Sequence, residues 1–472
     1  MNILIVGGVA GGASAAARAR RLSESANIIV FERVSFANCG LPYHVGGEIP
    51  QREDLLLQSP ESLQARFNLD VRVQTEVIRI HRAERTLEVR DLRSGNTTRE
   101  PYDAIILSTG ARPLKPPVPG IDRRGHFTVR NVPDVDQIQS WIHDAQAMTA
   151  VVVGGGYIGL EMAEQLKHRG LQVTVVEALP QVMAPLDSDM APWLHKELEA
   201  NDVRLLLHDP VAAFEAPATG EIAKASTVVL RSGERLPADL VVLGLGVRPD
   251  VDLARTAGLQ LGELGGIRVN ESLQTSDPNI YAVGDAVEVR DAVTGAWSLV
   301  PLAGPANRQG RIAADNLLGT PATYPHTWGT AVLRLFSLTV GCVGANERSL
   351  RQAGRNYRVL HLHPSSHAGY YPGASPIALK IIFDPDSDRM LGAQAVGQDG
   401  VDKRIDVLAT ALQAGLTLDQ IAQLELAYAP PFGSAKDPVN LAAMAAQNVQ
   451  RGLVSTLYWS DLASLDLDKT FL

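Results

Sequence analysis

Cysteine is nearly absent: the 472 residues contain two, Cys39 and Cys342. Two thiols without metal-ligand spacing exclude both a disulfide framework and a zinc site. An excess of positive charge is also missing. The net charge of −9 argues against nucleic acid, whose recognition needs a basic footprint. No apolar run reaches the roughly 18 residues that a bilayer span requires. The first residues, Asn2-Ile3-Leu4-Ile5-Val6, read as a buried strand and not as a secretory signal. No membrane partner is therefore expected, and a cytoplasmic location is. What is present is 45% apolar residues with 41 glycines and 28 prolines, the composition of a globular, turn-rich chain. Its length suggests about three domains.

The chain opens with a strand at 2–6 and the turn Gly7-Gly8-Val9-Ala10-Gly11-Gly12. An alanine-rich helix follows to about Leu22, then a strand from Asn27 to Phe31 that closes on Glu32, with Arg33 beside it. Strand, glycine turn, helix, strand and acid make a nucleotide-binding βαβ unit. The turn offers backbone N–H groups and a helix N-terminus to a pyrophosphate, and the acid binds ribose hydroxyls. Val9 stands where a second glycine is usual. A second unit begins at Ala150. Its turn, Gly154-Gly155-Gly156-Tyr157-Ile158-Gly159, has the complete GxGxxG spacing, and Glu177 closes the next strand 18 residues beyond Gly159. Glu177 would accept from the adenosine ribose 2′-hydroxyl and repel a 2′-phosphate, so NADH is expected ahead of NADPH.

Directly after the first acid comes Ser35-Phe36-Ala37-Asn38-Cys39-Gly40-Leu41-Pro42-Tyr43-His44. A thiol there would sit beside whatever cofactor the first turn holds. Gly40 and Pro42 open the chain toward a helix, whose positive end favours thiolate. Two dinucleotide units imply two dinucleotides. A redox thiol beside the first makes a flavin, FAD, the ordinary choice for that unit. Ser14, Arg18 and Arg21 share one helix face, which either holds the phosphates of a further ligand or is a solvated charged face. Residues 104–110 read as a buried strand ending in Thr109-Gly110. Leu240–Gly246 echoes it, and Gly284-Asp285 ends another apolar strand, where the acid can accept from a sugar-alcohol hydroxyl. From about Thr323 the composition changes to an α+β module, with strands expected at Leu333–Val340 and Ile377–Phe383 and helices at about 401–414, 417–424 and 437–450. Cys342, in an apolar strand, is expected in the core.

The order of first fingerprint, cysteine, Thr-Gly strand, second fingerprint and Gly-Asp motif resembles the pyridine nucleotide–disulfide oxidoreductases over roughly residues 1–450. Within that group SFANCGLPYH, HAGYYPGA and LAYAPPFGSAKD are similar to the coenzyme A-disulfide reductases and the NAD(P)H-dependent persulfide and polysulfide reductases. The resemblance implies an α/β fold of two Rossmann-like dinucleotide-binding domains plus a C-terminal α+β dimerisation domain. FAD would be held by 1–116 with 244–322 and NADH by 117–243, and 323–452 would form the subunit interface. The tail at 453–472 resembles the lead-in to a truncated rhodanese-like domain. His44 replaces the second cysteine of the glutathione-type reductases, so the resemblance implies that Cys39 forms a mixed disulfide with coenzyme A. It assigns Ser14, Arg18, Arg21, Ser35 and Asn38 to coenzyme A. It also implies a homodimer in which Tyr370 and Tyr428 reach the other subunit's site. Two rival readings use the same fold: an NADH oxidase or peroxidase in which Cys39 cycles through sulfenic acid, and an electron-transfer flavoprotein serving a protein partner.

Overall fold

The computed structural model describes residues 1–34, 39–56, 58–217 and 225–465. The contacts divide it into two units: 1–180, 202–291 and 295–327 form the first, and 181–201, 292–294 and the residues from 328 onward form the second.

The first unit holds two five-stranded parallel sheets. Strand β1 (Asn2–Val6) lies at the centre of one, between β2 (Asn27–Glu32) and Ala104–Leu107, with Asp70–Val73 and Ile280–Ala282 at the edges. Helix α1 (Ala10–Leu22) crosses from β1 to β2, and helix α2 (Leu41–Gly46) follows β2. In the other sheet β3 (Thr149–Val153) is central, between β4 (Gln172–Val176) and Leu240–Leu243, flanked by Arg204–Leu206 and His126–Phe127. Helix α3 (Tyr157–His168) makes the crossover from β3 to β4. These strands are short aliphatic runs: Ile3, Leu4, Ile5, Val152 and Val175 are fully buried, as parallel sheets covered on both faces require. The ends of both central strands carry the glycine turns, where an open α/β sheet binds its ligands.

The second unit is built on a five-stranded antiparallel sheet, in the order Ala331–Leu335, Leu338–Gly344, Met390–Gly397, Ile377–Phe383, Arg358–Leu362, with helices Val401–Gln413 and Pro438–Gln450 packed in its core. The single strand expected at Leu333–Val340 is in fact a hairpin. Phe336 has φ +51°, so the chain reverses there within an apolar run that offers no glycine or proline as a turn signal. Cys342 lies in the second strand of that hairpin and is half-buried, not core.

Residues 181–201 leave the second nucleotide unit after Glu177 yet cluster with the antiparallel sheet. Their anchor is ionic. The fully buried Lys380 ammonium stands 3.0 Å from Asp187, 2.8 Å from Asp189 and 2.5 Å from Glu347. Burial would raise the Asp189 carboxyl, but His361 and Lys380 hold it down to about 2. The desolvation of Lys380 is thus offset by three carboxylates, as a buried charge requires.

Candidate active site

The two glycine turns repeat one construction. Gly7 and Gly154 adopt φ +94° and +106°, which favours glycine, and a Cβ on either would lie 2.1 Å and 2.3 Å from a backbone carbonyl oxygen of the neighbouring strand's end, Ser108 and Gly244. The Gly7 N–H donates to Phe31 O and the Gly154 N–H to Val176 O, tying each turn to the next strand. A Cβ on Gly12 would meet Gly7 O at 1.8 Å, and one on Gly159 would meet Gly154 O at 1.9 Å. Those two glycines let the helix pack on its own turn. The acids answer each other as well. Glu32 accepts from the Gly8 and Val34 N–H groups at 2.8 and 3.1 Å. Glu177 accepts from Gly155 and Leu179 at 2.7 and 2.8 Å. Each carboxylate closes its turn and keeps lone pairs for further donors.

Neither α1 nor α3 has a side-chain cap or an acid in its first turn. The helices at Pro60–Phe67, Val132–Asp144 and Pro438–Gln450 are capped by Ser59, Asn131 and Asp437. The first-turn N–H groups at Ala10, Gly11 and Gly12, and at Tyr157, Ile158 and Gly159, therefore form a donor set suited to a pyrophosphate. Both turns fit a dinucleotide.

Around the first turn the expected residues are brought together. Helix Ala303–Leu317 packs so closely on α1 that a Cβ on Gly310 would lie 2.1 Å from Gly11 O. Its Gln309 side chain accepts from the Gly284 N–H at 2.7 Å. Burial pushes the Asp285 carboxyl up, against the pull of Arg130. Thr109 donates to Asp250 O, and Asp250 N–H donates back to Gly110 O at 2.8 Å. Against burial, Arg112 and Arg33 hold the Asp250 carboxyl low, so Arg33 is engaged in an ion pair at 3.1 Å. Asp250, Arg112 and Arg130 were not legible as a set, because they come from separate segments. Gly246 has φ +91° with open space around it.

On α1, Ser14 donates to Asn307 at 2.6 Å and Arg18 to Asp315 at 2.5 Å, while Arg21 is exposed. The helix face is thus divided: two members bond to helix Ala303–Leu317 and the third faces solvent. Ser35 and Asn38 lie outside the described residues.

Cys39 is exposed just ahead of α2. Its thiol departs from the expectation of a helix-favoured thiolate. Although the residue keeps a solvent-facing side, partial desolvation by the atoms packed around its sulfur pushes the thiol up, and the negative charges of Glu161 and then Asp285 add to this. The six-residue α2 has too little dipole to outweigh them. His44 is buried with Nδ1 2.6 Å from Ile49 O. Tyr43 donates to Glu161 Oε1 at 3.2 Å. In the second unit the hydroxyls of Tyr370 and Tyr428, 58 residues apart, meet at 3.1 Å, and both rings are exposed. The shared hydrogen bond pushes the Tyr370 phenol up.

Residues 1–310 match the family model for pyridine nucleotide-disulphide oxidoreductases, and residues 330–438 match that family's dimerisation domain. The chain belongs to this family of flavin-dependent NAD(P)H oxidoreductases. It is 34% identical over 452 residues to a coenzyme A disulfide reductase of Staphylococcus haemolyticus, covering 95% of this chain and 100% of that one. A protein from Methanocaldococcus jannaschii named NADH oxidase is 35% identical, over 94% of this chain and 98% of its own. Among solved structures, the reduced Bacillus anthracis CoADR-RHD superposes with TM-score 0.95 at 48% identity, over 99% of this chain and 84% of that chain. The NAD-dependent persulfide reductase of A. fulgidus superposes with TM-score 0.93 at 38% identity, over 98% and 86%. Among the described residues no helix is long and apolar enough to cross a membrane.

Proposed function

We propose that this enzyme uses NADH to reduce a coenzyme A disulfide, a coenzyme A persulfide or a polysulfide through Cys39. FAD would be held by Gly7, Val9 to Gly12, Glu32, Arg33, Asn38, Thr109, Gly110, Gly246, Gly284 and Asp285. NADH would be held by Gly154, Gly156, Tyr157, Ile158, Gly159 and Glu177, and coenzyme A by Ser14, Arg18, Arg21, Ser35 and Asn38. The observation that carries the reading is the Tyr370–Tyr428 pair. Two exposed phenols held hydroxyl to hydroxyl are a proton source without an evident structural duty, and a leaving thiolate needs one.

A bound flavin supplies the passage of two electrons from a nicotinamide to a disulfide sulfur. The chain's own steps concern sulfur and protons. The Cys39 thiolate attacks one sulfur of the substrate, a bond forms to Cys39, the substrate S–S bond breaks, and a thiolate leaves. Tyr370 or Tyr428, reaching across a homodimer, gives that thiolate a proton. With no second cysteine at His44, the mixed disulfide joins Cys39 to the small molecule until it is reduced. A second reading, the NADH oxidase or peroxidase, draws on the Methanocaldococcus relative and on the exposure of Cys39; there a peroxide would give one oxygen to the Cys39 sulfur, forming sulfenic acid, and leave as water.

Cys39→Ser is expected to keep NADH-driven bleaching of the flavin absorbance and to lose sulfur turnover by several orders of magnitude. Undiminished turnover with coenzyme A disulfide would overturn the proposal. NADH consumption in air alone, unchanged on adding coenzyme A persulfide, would favour the oxidase.

A further inference from the structure

We infer that Arg404 is a positioning residue: it sits beneath the two loops that carry Tyr370 and Tyr428 and holds their hydroxyls together. The inference rests on the reading of those tyrosines as the proton source. Both phenols are largely exposed, Tyr370 at 77% and Tyr428 at 48%. Packing of the rings therefore does little to fix them, and a lone hydrogen bond in water is weak. Their meeting at 3.1 Å has to be imposed from below.

The support can be followed bond by bond. Tyr428 lies on a stretch, 425–436, that is fastened at both ends to helix Pro438–Gln450. At its start the buried Asn440 amide donates to the carbonyls of Ile421, Ala422 and Leu424 at 3.2, 3.3 and 3.0 Å. At its end Asp437 caps the helix, its Oδ1 accepting from the Val439 N–H at 3.0 Å. Arg404, on helix Val401–Gln413 and only 1% exposed, grips that same carboxylate. Its Nη2 donates to Asp437 Oδ2 at 3.0 Å and its Nε to Oδ1 at 3.4 Å, while Nη1 donates to Gly400 O at 3.1 Å. The guanidinium also lies against Gly433, where a Cβ would be 3.7 Å from Nη2. Gly433 is the junction of the two loops, since its carbonyl accepts from the Ala368 N–H at 2.9 Å. Tyr370 stands two residues beyond Ala368, in a loop closed by the Ser366 N–H on Ser375 O at 2.8 Å. A planar fork on a buried carboxylate fixes direction as well as distance. The neighbouring Lys403 ammonium, exposed and 3.8 Å from Asp437 Oδ2, supplies only a charge.

The test uses the flavin-loaded full chain with NADH and coenzyme A disulfide. Arg404→Lys keeps the charge and loses the fork. Asp437→Asn keeps the helix cap and loses the ion pair, and it serves if the first variant does not fold. NADH-driven flavin reduction is expected at the parent rate in either. Sulfur turnover is expected to fall by about tenfold or more, as when a general acid is displaced. The same change in a Tyr370→Phe, Tyr428→Phe background should lower turnover no further. An equal loss in both backgrounds, or none in the parent background, would overturn the inference. A second readout is the Tyr370 phenol, followed as the ultraviolet difference titration between each protein and its Tyr370→Phe counterpart. In the parent the shared hydrogen bond holds this phenol above its ordinary value. In Arg404→Lys it should fall back, and an unmoved titration would also sink the inference. If the Tyr370→Phe, Tyr428→Phe protein turned over sulfur undiminished, the reading of the tyrosines as the proton source would fail, and the titration alone would decide the positioning.

Discussion

At the first nucleotide turn the middle position of the fingerprint is Val9; at the second it is Gly156. The two turns agree in the positive φ of Gly7 and Gly154, the close approach at Gly12 and Gly159, and the carboxylate bonded to the turn's own N–H groups. The first and third glycines answer to the chain itself, since a Cβ there collides with backbone. The middle one does not. Val9 has φ −84° and Gly156 φ −82°, and a Cβ on Gly156 would find nothing within 4 Å. A glycine at that place serves the approach of a pyrophosphate to the backbone, so it constrains the ligand's seat and leaves the fold free.

The comparison breaks most visibly at the third glycine. Gly12→Ala and Gly159→Ala are each expected to destabilise the protein by about 3 kcal/mol, because a Cβ under 2 Å from a carbonyl oxygen forces helix and turn apart. Thermal unfolding of the two variants should show comparable losses. A neutral result at one of them would mean that its turn is not built as its counterpart is.

The acids sharpen the comparison at a smaller scale. On the proposed assignment of Glu177 to the nicotinamide dinucleotide, Glu177→Ala would remove the acceptor for a 2′-hydroxyl and the repulsion of a 2′-phosphate. It should narrow the preference for NADH over NADPH by about tenfold, or about 1.4 kcal/mol. Glu32→Ala should leave that preference unmoved and instead weaken retention of the flavin, read as absorbance lost on dialysis. If both variants changed nucleotide preference alike, the assignment of the two turns to different dinucleotides would be wrong.

Both βαβ units were legible because each is local: strand, turn, helix and acid lie within about 35 residues of one another, and the glycines are dictated by backbone contacts inside that span. Cys39 was singled out by its place after the first unit, and the Tyr370 and Tyr428 strings only by their resemblance to a family. What the chain order hid was assembled across distance. The hairpin at Phe336 carries no turn residue. The Lys380 cluster draws Asp187, Asp189 and Glu347 from segments more than a hundred residues apart, and with them the whole of 181–201. The Cys39 thiol is pushed up by the atoms packed around it and then by the charges of Glu161 and Asp285, which no reading of the helix start beside it could supply.

The smallest effect concerns the position where the turns differ. Exchanging the two residues tests whether the middle glycine belongs to the ligand or to the fold. Gly156→Val places its branched side chain in open space, at a backbone conformation close to that of Val9, so unfolding temperature should change by no more than about 0.5 kcal/mol equivalent. Val9→Gly should do as little, or lower stability by a few tenths through the added freedom of the unfolded chain. The ligand should notice instead: if Gly156 holds the dinucleotide as proposed, NADH KM is expected to rise in Gly156→Val, since a side chain would then stand where the pyrophosphate meets the backbone. Loss of folding in Gly156→Val with no change in KM for the surviving protein would reverse the argument, making the glycine a requirement of the chain at the second turn and the valine a local exception at the first.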